Sequence, residues 1–517
     1  MSNKFFFIKI FLAIVLFFFL IAVSSSAWKD YQIKQDAKKR DAMYTQILDG
    51  ASTKPIEIRV DYAKQISTGS PLIFGGAQYP PIEQQDAWDK IADAGVTSIR
   101  VDFGIDRLVR NVASVENYKN NVNNIQDTKN WDQKGINDEL QVYKNAKKRG
   151  MKVIAIADFS IDWLSYSGTV FGYPKDWNVY DDIIKKTYKM YRPYIDYLEI
   201  WNEPDMPIDK SFLDVTNSGL SKKEAYAQVY SHISSAIREV DAEINDGKIM
   251  PLGGPVSCLS NDPSFLEAIL KSPMLSQKLD FVSYHQYESA PSESNIKYKE
   301  MLQRYNKPQF PIFLTEWSYS SKGSEIGDII PTDAGILYAA NMLLNYFHMG
   351  LAGANYHSLT PFSNNKPFGI EKNHAFYEWN NGKAKLLPLA RAWRLLSNDM
   401  GLGKGQSNMY TVDTSDSDIN TIVFKNSAHN YGAVFINNSS DSKITAVSMD
   451  GISTMKYAKV SLYTASADND AKAPAYAGEV KMKDNKANIT LLLPKESMIG
   501  VTLLEDKAWY DFINLPY

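Results

Sequence analysis

Between about Pro71 and Gly401, short apolar runs rich in β-favouring residues alternate with longer stretches whose apolar positions recur at helical spacing. The runs Leu72–Ala77, Thr97–Phe103, Lys152–Asp158, Tyr197–Trp201, Ile249–Gly253, Phe281–Tyr287, Ile312–Glu316 and Gly353–Ser358 predict strands. Ile136–Arg149, Lys222–Val240 and Asp333–His348 predict helices between them. Gly95, Gly150 and Gly350 each fall between such a helix and the next strand, where a left-handed glycine closes a helix. Eight strands, each followed by helical sequence, predict an α/β fold of the (β/α)8 TIM barrel type over residues 66–402. The rival, a doubly wound sheet, lacks the Gly-x-Gly-x-x-Gly turn after the first strand.

Beyond Gly401 the period changes. Tyr410–Val412, Thr421–Lys425, Tyr431–Ile436, Lys443–Met449, Lys456–Tyr463, Glu479–Met482, Ala487–Leu493 and Met498–Leu504 are short, often alternating runs separated by Gly, Asn, Asp and Ser. That pattern predicts a C-terminal antiparallel β-sandwich over 403–517. Pro55–Tyr62 is strand-like and is a candidate further strand of the same sandwich, at the end of a polar spacer spanning 28–65. At the N-terminus, Lys4 and Lys9 precede the apolar run Ile10–Val23 and the small residues Ser24-Ser25-Ser26-Ala27. Residues 1–27 therefore read as a cleaved secretory signal or, counted from Phe5 to Val23, as a retained inner-membrane anchor. Either reading places the bulk of the chain outside the cytoplasm, in the periplasm or secreted.

Composition narrows the picture modestly. A net charge of −3 gives no basis for nucleic-acid binding or for attraction to an anionic membrane. The single cysteine, Cys258, excludes an intramolecular disulfide and reads as a small buried side chain. Asp413, Asp416 and Asp418 are spaced loosely like a calcium loop, but a solvated turn is the simpler reading. Asn437, Asn438 and Asn488 open Asn-x-Ser/Thr triplets that matter only in a glycosylating host.

The chemistry concentrates at strand ends. Glu203, in Trp201-Asn202-Glu203-Pro204-Asp205, follows the fourth strand, and Glu316, in Phe313-Leu314-Thr315-Glu316-Trp317, follows the seventh. Barrel active sites are built at that face, so both carboxylates are expected in one cleft. Retaining glycosidases need two carboxyl groups about 5–5.5 Å apart, one to protonate the leaving oxygen and one to attack the anomeric carbon. Glu203 fits the acid/base, with Asn202 beside it to bond the sugar 2-hydroxyl, and Glu316 fits the nucleophile. His285 and Tyr287 end the sixth strand two residues apart, hence on one face, within reach of these acids. Arg100, from the second strand, supplies a permanent charge to hold Glu316 anionic. Taken alone, the Glu203 motif favours an acid presented for catalysis, with a helix-start turn, Asn202 capping and Pro204 at the first helical position, as the alternative. Trp201 and Trp317 are candidates for wall or packing, Trp163 and Trp177 for sugar platforms or packing, and Asp158 and Asp162 for hydroxyl ligands.

Together the strand-2 Arg, Asn-Glu-Pro, His-x-Tyr and Thr-Glu-Trp motifs resemble clan A glycoside hydrolases, most closely family 39 with its exported bacterial members that cut exopolysaccharides. The resemblance covers about residues 66–505 and implies retention, Glu203 as acid/base, Glu316 as nucleophile and a sandwich packed on the barrel. The chain departs from the clan where many members place a strand-8 Trp under the sugar. It has Asn355-Tyr356-His357 instead, which makes Tyr356 or His357 the candidate floor. The expected activity is cleavage of an extracytoplasmic polysaccharide or oligosaccharide, with no metal or organic cofactor implied. A transglycosylase using the same acids, and a non-catalytic membrane-held polysaccharide-binding protein, are the alternatives.

Overall fold

The computed structural model describes residues 55–120, 128–207, 212–319, 332–360, 375–452, 457–465, 475–481 and 486–504. The expected signal or anchor and the spacer up to residue 54 lie outside the described residues. Among the described residues, no helix is long and apolar enough to cross a membrane.

The first strand, β1 (Ile56–Gly69), belongs to the C-terminal sheet. The next eight, β2 (Gly75–Ala77), β3 (Ser98–Asp102), β4 (Lys152–Ala157), β5 (Tyr197–Ile200), β6 (Leu252–Ser257), β7 (Phe281–Tyr287), β8 (Ile312–Ser318) and β9 (Gly353–His357), close into a parallel barrel in sequence order. The helices form where their ends are chemically marked. Asp132, Asp176 and Ser221 each accept a bond from a backbone N–H of the first turn of the helices Gln133–Lys148, Trp177–Tyr191 and Lys222–Ile244. In the last, Glu224 completes a capping box. Gly95, Gly150 and Gly350 all adopt positive φ, as their positions required.

The floor of the barrel is plugged by Leu72, Ile154, Phe281 and Phe313. Two barrel strands start later than expected: the first at Gly75, after a 3-10 turn over Pro71–Phe74 that takes Leu72 out of the strand, and the fifth, which the plug explains. The fifth begins at Leu252, not Ile249, and runs through Gly253-Gly254-Pro255, residues that normally break strands. A Cβ on Gly253 would lie 2.0 Å from the Phe281 ring, so the glycine makes room for the plug.

After the barrel comes an unforeseen hairpin, β10 (Tyr377–Asn380) and β11 (Lys383–Leu386). Its turn is Asn381-Gly382, both at positive φ, a two-residue signal present in the sequence. The remaining strands are β12 (Ser407–Thr414), β13 (Ile419–Lys425), β14 (Tyr431–Asn437), β15 (Lys443–Asp450), β16 (Tyr457–Ala465), β17 (Ala475–Lys481), β18 (Ala487–Leu493) and β19 (Ser497–Leu504). With β1 they form one nine-stranded sheet in the order β17-β16-β19-β14-β13-β12-β1-β15-β18. Every pair is antiparallel except β1 with β15. The sheet folds over itself as a sandwich. Ile58, Val60, Val423, Phe435, Val447 and Leu491 enclose its own core, while the alternate residues Ile422, Phe424, Val434 and Ile436 join the barrel core. Ser67 on β1 also donates to the carbonyl of Phe347 in the helix Asp333–Met349, at 3.0 Å. Lys443 bridges Asp416 and Asp418 at 2.7 and 2.9 Å, so these acids form an ion-paired turn.

Candidate active site

The end of β5 is bent to present one carboxyl. Trp201 and Glu203 both take left-handed backbone, at φ 69° and 44°, a conformation that side-chain-bearing residues adopt at a cost of about 1–3 kcal/mol each. Contacts made by three of its residues hold the bend. Trp201 is fully buried against Phe159, and its indole N–H donates to the Phe212 carbonyl at 2.5 Å. The Glu203 N–H donates to the Val256 carbonyl at 3.1 Å. The buried Asp205 carboxylate accepts from the N–H groups of Cys258 and Leu259, both at 2.9 Å. The loop carrying Glu203 is thereby fastened to the chain leaving β6. The helix-start reading of this motif does not hold, since no helix follows within the described part of the loop.

Arg100 organises the opposite side. Its Nε donates to Glu199 at 2.6 Å, one terminal nitrogen to Glu316 at 2.6 Å and the other to the Asn202 side-chain oxygen at 2.9 Å. The second Glu316 oxygen accepts from the Tyr287 hydroxyl. His285 lies between the acids, with Nδ1 2.7 Å from Glu203 Oε1 and 3.6 Å from Glu316 Oε2. Glu203, His285 and Glu316 each place an atom within 4.8 Å of the others, and among the described residues they are the one such cluster of metal-type donors. Both oxygens of Glu316 are already engaged by Arg100 and Tyr287.

The electrostatics separate these groups. Burial pushes the Glu316 carboxyl up, but the His285 and His357 imidazoles, the Arg100 charge and the Tyr287 hydrogen bond outweigh it and hold its pKa at about 2. Burial itself drives His357 toward the neutral form, which leaves Arg100 as the permanent cation beside Glu316. For His285, burial opposes the charge, yet the neighbouring Glu316 and Glu203 carboxylates raise its pKa. Tyr287 is pushed well up, first by burial and then by Glu316, so it remains a proton donor. Arg100→Met is expected to lower kcat about a hundredfold and to move the acid limb of the pH–rate profile upward, because a charge that depresses Glu316 is lost. Stability should fall by about 3–5 kcal/mol in a denaturant titration, since Glu199 would be left as a buried unpaired anion.

Arg100, Asn202, Glu203, His285, Tyr287 and Glu316 thus meet at the mouth of the barrel. His357 joins them, its ring edge-on to Tyr287 with centroids 6.2 Å apart. Trp317 and Tyr356 do not line the cleft. Strand alternation turns both outward, where Trp317 is fully buried, stacked on Trp393 at 5.6 Å and edge-on to Tyr356 at 5.1 Å. Of the two candidate floors, His357 is the one on the cleft side. Trp177 stacks on His232 at 3.9 Å and Trp163 on Tyr118 at 6.3 Å, both as packing. Asp162 is exposed and accepts from the Trp163 N–H at 2.6 Å. Asp158 is buried, facing Arg100, Asp102 and Arg107. Two residues escaped sequence reading. Glu199 holds Arg100, and its signal was a charge inside the apolar run Tyr197-Leu198-Glu199-Ile200. Asp205 stood in plain view within the motif, but its partners are 53 and 54 residues away.

A closed parallel barrel with two facing carboxylates at its C-terminal mouth is the architecture of a clan A glycoside hydrolase, and the protein is a glycoside hydrolase. Residues 59–348 match the sequence signature of the cellulase family (glycosyl hydrolase family 5), and the chain belongs to that family. The fold is shared with a family 39 enzyme from Xanthomonas axonopodis pv. citri, at TM-score 0.61 and 15% identity over 89% of this chain and 99% of that one. A glucosidase from Croceicoccus marinus matches at TM-score 0.61 and 11% identity, covering 88% and 100% of the two chains. A family 30 subfamily 8 xylanase from Clostridium acetobutylicum matches at TM-score 0.57 and 15% identity, covering 86% and 99%. At such identities the likeness is one of fold. No curated protein sequence matches this chain.

Proposed function

We propose that the protein hydrolyses glycosidic bonds of a polysaccharide or oligosaccharide outside the cytoplasm, with retention of configuration and a covalent glycosyl-Glu316 intermediate. The observation that carries this reading is the approach of the Glu203 and Glu316 carboxylates to within 4.8 Å, close to the separation of about 5–5.5 Å used for direct attack. An inverting enzyme needs a wider gap to seat water between its acids. In the first step a Glu316 oxygen bonds to the anomeric carbon as the bond to the leaving oxygen breaks, and Glu203 gives that oxygen its proton. In the second, Glu203 takes a proton from water, whose oxygen displaces Glu316 from the same carbon. The 2.7 Å contact between His285 Nδ1 and Glu203 holds the carboxyl in place as it alternates between acid and base. Arg100 and Tyr287 keep Glu316 anionic and oriented for attack. Asn202, clamped by Arg100, is placed to bond the sugar 2-hydroxyl.

The extracytoplasmic setting rests on the N-terminal signal or anchor pattern, and with it the cell's own exopolysaccharide as the natural polymer. A transglycosylase would differ only in accepting a sugar hydroxyl in place of water, and products formed with an added acceptor separate the two. The test of the reading is incubation with activated 2-fluoro sugars followed by peptide mass spectrometry. One sugar per chain on Glu316 is expected. Absence of any adduct, with a folded protein and a panel of sugars, would favour a binding protein and overturn the catalytic assignment.

A further inference from the structure

Next to the catalytic pair lies a group of charges that the mechanism above does not use. Asp102 follows Arg100 by two residues on β3, so it shares the inward face and stands about 7 Å further up the barrel mouth. Asp158 follows directly on the last residue of β4, the strand paired with β3, and its carboxyl lies within electrostatic reach of Asp102, Asp106, Arg100 and Arg107. Glu139 approaches from the helix Gln133–Lys148. Against these acids stand two guanidinium groups. Arg100 is committed to Glu199 and Glu316, and Arg107 bonds Asp102 at 3.0 Å and reaches Glu139 at 3.9 Å.

Two oxygens in this group have no hydrogen-bond partner among the described residues: Asp158 Oδ1 and Glu139 Oε1. Their residues are only 8% and 6% exposed, and a buried carboxylate oxygen left unbonded is costly. The group is nevertheless open to solvent at one edge, where the Asp102 and Arg107 side chains are 37% and 35% exposed. Without a further cation, burial and then Asp102 push the Asp158 pKa up, and burial pushes Glu139 up to about 8. The acids do not converge tightly enough to be a compact metal cage, since the one such cluster among the described residues is the catalytic trio.

We propose that this place is a sugar subsite for a primary ammonium, so that the polymer cut is one carrying free amino sugars. The inference rests on the catalytic pair for where cleavage falls, and it deepens that reading by naming the substrate class. An ammonium brings three N–H donors, a full positive charge and no acceptor, which suits a surplus of carboxylate oxygens. A sugar hydroxyl brings a donor without charge, an N-acetyl group places a methyl against the carboxylates, and a uronic acid is repelled.

The experiment uses the full chain carrying Glu316→Gln, which binds without turnover. Titration calorimetry compares the β-1,4-linked tetramers of glucosamine, N-acetylglucosamine and glucose. The glucosamine tetramer is expected to bind at least about tenfold more tightly than either of the others at low salt, with the margin shrinking as ionic strength rises. Adding Asp102→Asn should bring the glucosamine tetramer down to the affinity of the glucose tetramer measured on the same variant; Asp158→Asn should do the same and serves if the first variant misfolds. Equal affinities, a preference for an uncharged tetramer, or no binding of the glucosamine tetramer would each overturn the proposal. Failure of the fluoro-sugar trap with the ammonium preference intact would instead overturn the catalytic assignment and leave the subsite standing.

Discussion

The Glu316→Gln enzyme is expected to keep less than about one ten-thousandth of the wild-type kcat, because an uncharged amide cannot form the glycosyl-enzyme bond. The decisive version removes the side chain altogether. In Glu316→Ala the space left beneath the anomeric carbon is bordered by Arg100 and Tyr287, both hydrogen-bond donors, and so accepts a small anion. Azide entering there attacks once, from the nucleophile's own side, while Glu203 still protonates the leaving group. The product should be a glycosyl azide of inverted configuration, read directly by NMR. A variant with wild-type turnover, or azide rescue with retained configuration, would remove Glu316 from the nucleophile's role.

Glu203→Ala should lose about 10²–10⁴-fold in kcat on natural glycosides, whose leaving oxygens need a proton. Aryl glycosides with acidic phenols need none, so their first step should survive and the glycosyl-enzyme should accumulate. Stopped-flow measurement should then show a burst of phenol followed by slow turnover. Here azide enters from the vacated acid's side and attacks a sugar already inverted once, which gives a glycosyl azide of retained configuration. The two variants therefore give opposite anomers from one reagent. Loss of both activities by simple unfolding cannot imitate that result.

Much of the site was legible because its residues sit at strand ends, where a barrel fixes direction. Once Arg100, Glu203, His285, Tyr287 and Glu316 are assigned to the correct strands, the parallel topology brings them together whatever the intervening loops do. Strand alternation also carried a message that was underused. Trp317 is adjacent to Glu316, so if one points into the barrel the other cannot, and the same holds for Tyr356 and His357. Aromatic rings beside the two candidate acids invited a sugar-binding reading, but parity already sent them outward. Glu199 was hidden by the opposite habit, that of treating an apolar run as uniformly core. What no sequence pattern announced were the ties between loops, such as Asp205 to the chain after β6, because they depend on loop paths and not on period. The fifth barrel strand was misplaced because Gly253 and Pro255 are punctuation in most contexts and here serve the floor.

The placement of β1 has a consequence for how the protein is made. It is synthesised before any barrel strand, yet its neighbours are β12 and β15, which emerge from the ribosome more than 300 residues later (Ser407 against Ile56). Until then it is a long strand with both edges unpaired, a template for the wrong partner. The barrel waits as well, since Ile422, Phe424, Val434 and Ile436 complete its outer packing only when the last domain folds. A gene cut after residue 402 would therefore yield a polypeptide with an orphan strand at one end and a bare apolar flank at the other. Dissecting catalysis from the sandwich by truncation should give insoluble material, and the enzyme has to be handled as one piece.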